Sequence, residues 1–177
     1  MKTTLVAHSR APLLVATVVG AMMLGAHPAQ AQQKSPISYQ VSAGNSKYTD
    51  KHEIDVGDVP GHRMRVFQLH RTFPKDTAAF SGVPVKEQTT TGEAELPDGP
   101  VVAYVVYTLA NGDKIFGRYE GTGQYAGDRL TVVGNTILTG GTGKFKTLRG
   151  LLHNSTIVQP SKDINETKAE GTYWMQE

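Results

Sequence analysis

The chain contains no cysteine. No disulfide can staple it and no thiol can serve as nucleophile or metal ligand, so the fold must hold by packing alone. Helical periodicity is missing as well. Beyond residue 31 no stretch repeats apolar residues at the three-to-four spacing of an amphipathic helix. Long apolar runs are confined to residues 11–25, which is short for a membrane span. Net charge is also scarce. There are 18 Lys and Arg against 16 Asp and Glu, and Lys2 and Arg10 account for the difference. The remainder is balanced. That excludes the basic stripe needed for nucleic-acid phosphates and the polybasic patch needed for an anionic membrane surface.

Catalytic signatures are equally sparse. The histidines beyond residue 31 are His52, His62, His70 and His153, and none forms an HxH or HxxxH pair. No metal and no cofactor is therefore expected. Ser81 and Ser155 have no nucleophile-elbow sequence around them, so no Ser-His-Asp arrangement is indicated.

What is present begins with an export signal. Lys2 and Arg10 precede and open the apolar run, and Ala29-Gln30-Ala31 fits a small-x-small cleavage site. Residues 1–31 are expected to be removed, leaving a periplasmic or secreted chain that begins at Gln32 and has no membrane attachment. Residues 32–55 are polar and read as a mobile N-terminal arm. Residues 56–177 read as one domain of short strands: 64–72, 86–96, 101–109, 114–122, 148–158 and 167–175. A further strand, 129–138, is read as broken at Gly134-Asn135 by a bulge or bend. Asn111-Gly112 suits a type I′ hairpin. Seven or eight such strands joined by glycine turns predict an all-β sandwich or a closed barrel, and the reading taken is an antiparallel, up-and-down (calycin-like) barrel of eight strands. Closure would remove exposed edges, and the lumen could hold a small ligand.

Residues 101–109 are apolar on both parities, so both faces are expected to be covered, one of them by a second subunit or by the arm. The candidate ligand-binding residues are Phe67, Tyr104, Phe116, Arg118, Tyr119 and Glu120. If the parity of Phe116, Arg118 and Glu120 faces the lumen, a charged pair lies among aromatics and can orient a polar ligand end. If it faces solvent, the pair is an ordinary surface ion pair. The loop Thr139-Gly140-Gly141-Thr142-Gly143-Lys144-Phe145 is neither a Walker sequence nor a dinucleotide fingerprint. Gly140, Gly141, Gly143 and Phe145 read as a structural turn at the rim.

The run from Gly127 to Gly150 resembles the allene oxide cyclase and dirigent protein superfamily. Its carriers are Gly134, the segment Ile137-Leu138-Thr139-Gly140-Gly141-Thr142-Gly143-Lys144-Phe145, and Arg149-Gly150. The resemblance implies an eight-stranded barrel with an apolar interior, assembled as a homo-oligomer. It also implies either cyclisation of an oxidised fatty acid or control of phenol coupling. Functional residues do not carry over. Gly57-Asp58-Val59-Pro60 and Arg65-Val66-Phe67-Gln68-Leu69-His70 each match the plant cyclases, in conflicting registers. In the second register Gln68 stands where the cyclases have a glutamate. Two function classes follow: a binding protein for a small apolar or phenolic molecule, or an isomerase or cyclase of that superfamily type. A barrel with a filled lumen would be a structural part only.

Overall fold

Alternating side chains decide which face of a strand can join an interior. A computed structural model of the protein describes residues 33–75 and 77–176. The expected export signal, residues 1–31, lies outside the described residues. Ten strands form: β1 (Ser35–Val41), β2 (Ser46–Asp55), β3 (Arg63–Thr72), β4 (Ala79–Phe80), β5 (Val83–Leu96), β6 (Gly99–Leu109), β7 (Lys114–Ala126), β8 (Arg129–Gly141), β9 (Leu148–Gln159) and β10 (Ile164–Met175). They make one antiparallel sheet in the order β1-β10-β9-β8-β7-β6-β5-β3-β2, with β4 paired to β5.

The all-β antiparallel expectation holds, but the architecture differs from a closed barrel of eight strands. The sheet has ten strands, and among the described residues no backbone ladder joins edge strand β1 or its neighbour β10 to edge strand β2. The sheet nevertheless rolls. β1 and β2 stand at opposite ends of the order, yet only residues 42–45 connect them. Side chains also meet across the interior. The Tyr39 and Tyr107 hydroxyls, from β1 and β6, lie 2.9 Å apart, and Arg71 on β3 donates to Asn165 on β10 at 3.2 Å.

Two of the unexpected strands, β1 and β2, come from the stretch expected to be a mobile arm, and the third, β4, is the two-residue strand before β5. β1 points Ile37, Tyr39 and Val41 inward and pairs with β10 along its whole length, while β2 pairs with β3. Pro36, Ser38 and Gln40 take the outward parity, so average polarity concealed an alternating strand. The folded domain therefore begins at β1 and not at residue 56.

Two local expectations are also corrected. The Asn111-Gly112 turn is not type I′, because only Gly112 of the pair has positive φ. Instead, Gly112 N–H donates to the Leu109 carbonyl and Leu109 N–H donates to Asp113, a turn completed by a left-handed glycine. Gly134-Asn135 is not a bulge either. Gly134 pairs in register with Gly121, and the irregularity lies at Thr139, skipped between the Gly117–Leu138 and Phe116–Gly140 pairs.

Packing divides the interior into a floor and an upper part. The floor is a continuous cluster that includes Phe73, Phe80, Tyr107, Leu109, Ile115, Leu138, Phe145, Leu148 and Tyr173. A smaller cluster of Ala94, Val101, Leu130, Val132 and Val158 stands apart from it, with Phe67, Tyr119 and Tyr125 against it. The glycine-rich loop belongs to the floor. Phe145 is fully buried there, and Thr142 ties the loop to the 110–113 turn by accepting from Lys114 N–H and donating to Asp113.

Candidate functional site

The inner parity of β6 is odd-numbered: Val101, Ala103, Val105, Tyr107 and Leu109 are buried. The β6–β7 register then fixes Ile115, Gly117, Tyr119, Gly121 and Gly123 as the inner face of β7. This decides the fate of the candidate residues. Phe67 and Tyr119 point inward and line the cavity. Tyr104, Phe116, Arg118 and Glu120 lie on the outer face, with Tyr104 60% exposed. No charged pair forms from them. The Arg118 guanidinium donates instead to the Tyr104 hydroxyl at 2.6 Å and stacks on its ring at 5.0 Å.

The physical reason is the glycine content of the inner face. β7 carries its charged residues outward, and Gly117, Gly121 and Gly123 leave much of its inner parity without a side chain. Those glycines make space. A Cβ on Gly121 would lie 2.3 Å from the Tyr119 hydroxyl oxygen, and one on Gly134 would lie 2.7 Å from it. Tyr119 is thus laid over two glycines and held inside the sheet.

Between floor and upper cluster lies a partly open cavity of about 90 Å³. Its apolar wall includes Phe67, Leu69, Val105, Leu130 and Val132, and its polar wall includes Tyr39, Tyr48, Arg65, Arg71, Gln88, Asn154 and Asn165. None of these polar members is a ligand-binding candidate from the sequence, where Asn154 and Asn165 stand out only as heads of Asn-x-Thr sequons. The available signal was Arg71, which follows Phe67 and Leu69 on a single parity of an alternating strand. An arginine at an inward position is unusual unless it has something to bind.

Arg71 is only 6% exposed. It donates to the Gln88 and Asn165 side-chain oxygens, each at 3.2 Å. Burial pulls its pKa down, although a guanidinium keeps its proton in proteins. Three buried polar atoms among the described residues have no partner: Arg71 Nε, Tyr119 Oη and Asn165 Nδ2. All belong to residues lining this cavity. Burial raises the Tyr119 hydroxyl to about 12, with Arg71 pulling the other way, and raises Tyr39 and Tyr107 as well. These phenols are neutral at physiological pH. No Asp, Glu or His lines the cavity among the described residues.

The histidine nearest to a designed environment is His62, outside the cavity at the base of the β2–β3 loop. Its Nδ1 meets Asp58 at 2.7 Å and its Nε2 meets Glu95 at 2.9 Å. The hydrogen bond to Asp58 raises its pKa, burial opposes this, and Glu95 adds to the rise. A raised folded-state pKa contributes stability that is fully present below the ordinary histidine value of about 6.5. That contribution is lost as pH climbs through the raised value. His62→Gln should therefore lower the melting temperature at pH 5.5 and have much less effect at pH 9. Equal losses at both pH values would show that the charge on His62 is irrelevant.

Fold and cavity together define a class: an all-antiparallel β protein whose rolled sheet encloses a partly open, mixed apolar and cationic cavity. No family model matches the chain and no curated protein matches it. Among solved structures, the pterocarpan synthase dirigent protein is similar at a TM-score of 0.48 and 10% identity, over 92% of this chain and 100% of that one.

Proposed function

We propose that this is an exported binding protein that holds a small, largely apolar or phenolic molecule inside the rolled sheet, and that it works as a homo-oligomer. The observation that carries the binding reading is the cavity itself. A filled interior would have made the protein a structural part. Here a packed floor supports an unfilled upper chamber with an apolar wall and unpartnered hydrogen-bonding atoms. Binding is favoured over isomerisation or cyclisation because the chamber wall, among the described residues, offers no carboxylate or imidazole for proton transfer.

The oligomer reading rests on the outer face. Tyr104, Arg118, Ile137 and Leu151 are aligned across β6 to β9, and Val102 and Phe116 flank them. Tyr104, Ile137, Leu151, Val102 and Phe116 are all exposed large hydrophobics. The cover expected over β6 from the N-terminal stretch is not supplied, since β1 and β2 are sheet strands at the two edges. A second copy of the chain is the occupant we assign to this face.

One measurement addresses all parts of this reading. Native mass spectrometry of secreted material should give a chain beginning at Gln32, assembled as a multimer, with extra mass that leaves on collisional activation. Retention of residues 1–31 would overturn the export reading, and a monomer would overturn the assembly. A protein that emerges empty and takes up no added phenol would overturn the binding reading.

A further inference from the structure

We infer that the ligand is a small organic carboxylate, its oxygens meeting the Arg71 guanidinium while its apolar body lies against Phe67, Leu69 and Val132. This rests on the cavity-binding reading above and narrows it to one chemical class.

The argument begins with an unbalanced charge. A guanidinium carries five N–H donors in a rigid fork whose geometry matches a carboxylate. In this protein the fork is almost fully buried, and its partners are the neutral amide oxygens of Gln88 and Asn165. Its Nε–H has no acceptor. A charge withdrawn from water is normally paired, because its lost hydration is otherwise uncompensated. Among the described residues, nothing on the cavity wall supplies the opposite charge. Glu53 is bonded to Arg63 and Arg65 on the β2–β3 pair, and Arg65 adds a second guanidinium to the cavity lining. The surrounding tyrosines keep their protons at physiological pH, so none of them acts as the anion.

The unsatisfied atoms complete the case. A carboxylate has two oxygens that each accept more than one hydrogen bond. Besides the Arg71 Nε–H, the cavity residues Asn165 and Tyr119 each hold a donor with no partner, the Asn165 Nδ2–H and the Tyr119 hydroxyl. Asn165 touches Arg71 directly. Orphan donors beside a lone buried cation are the complement of an oxyanion, whereas a neutral hydrocarbon would leave every one of them unsatisfied. Size narrows the class further. A partly open cavity of about 90 Å³ suits a short aliphatic acid, or a single-ring acid whose ring extends into the opening, not a long-chain one.

The test compares isosteres that differ in charge. Binding of benzoate, benzamide and 4-fluorophenol to the full secreted protein is measured by calorimetry and fluorine NMR. Benzoate should bind at least tenfold more tightly than benzamide. Arg71→Met should erase that difference and retain 4-fluorophenol. If Arg71→Met does not fold, Arg71→Lys serves instead: it should keep the preference for benzoate with weakened affinity. Arg118→Gln, on the outer face, should leave benzoate binding unchanged. Equal affinity for benzoate and benzamide in the parent would overturn the carboxylate assignment while 4-fluorophenol binding still upheld the cavity. Loss of benzoate binding in Arg118→Gln but not in the Arg71 variants would also overturn it. Failure of all three compounds to bind would remove the cavity reading itself.

Discussion

Replacing Phe80 by alanine is expected to lower the stability of the folded domain by about 3–5 kcal/mol, the usual cost of removing a fully buried aromatic. Phe80 sits on the two-residue strand β4 and is 0% exposed. Its ring meets Tyr107 and Tyr173 edge-on, at centroid distances of 5.6 and 5.2 Å. Tyr107 in turn meets the Tyr39 hydroxyl, and the Tyr173 hydroxyl accepts the Ser81 N–H at 2.7 Å. The ring is therefore the centre of the floor beneath the cavity, and β4 is too short to collapse inward after it is gone. The midpoint of urea unfolding should move down at an unchanged slope, with a melting temperature lower by roughly 10 °C. A loss below about 1 kcal/mol would mean that the floor refills from its neighbours and that Phe80 is not its keystone.

Gly141→Val should cost about 2–3 kcal/mol, through overpacking instead of a cavity. A Cβ at this position would lie 2.2 Å from the Lys114 carbonyl oxygen and 3.0 Å from the Phe145 Cβ. The first contact is backbone paired into the sheet, so the β7–β8 ladder must open at Ile115–Gly141 or Phe145 must leave its buried seat. Gly143 provides the internal comparison. It has φ +54°, which costs a side chain on the order of 1 kcal/mol. The atoms nearest to a Cβ there belong to the Asp113 side chain, which can shift more readily than backbone although Thr142 and Asn111 donate to it. Gly143→Ala should therefore be the milder change. The ranking is read by the same urea titration. An unchanged midpoint for Gly141→Val would make the loop a mere connection and detach Phe145 from the core.

The strands were legible because their residues alternate and their turns carry glycine. β3, β6, β9 and β10 lie within a few residues of the strands read from the sequence, and Phe145 in the loop after β8 is buried. β1 was missed because it is short and its outward positions are polar, which an average over the stretch cannot distinguish from an arm. Of the six candidates read from the sequence, Phe67 and Tyr119 line the cavity. Tyr104, Phe116, Arg118 and Glu120 were selected because aromatic and charged residues on paired strands resemble a pocket lining, and they lie outside.

Composition and alternation alone determined that this chain is an antiparallel β protein held without disulfides. Strand parity was decided only in the tertiary structure. β6 is apolar on both parities, so hydrophobicity has no preference there, and β7 places Gly117, Gly121 and Gly123 inward, where a hydrophobic pattern would look for bulk. Which face turns inward follows from the register against β5 and β8 and from the rolling of the whole sheet. The same rolling brings Arg71 from β3 against Asn165 from β10, 94 residues away along the chain, and leaves its charge facing a chamber instead of a carboxylate. No local pattern encodes that meeting, because it depends on how far the sheet curls before its two edges approach.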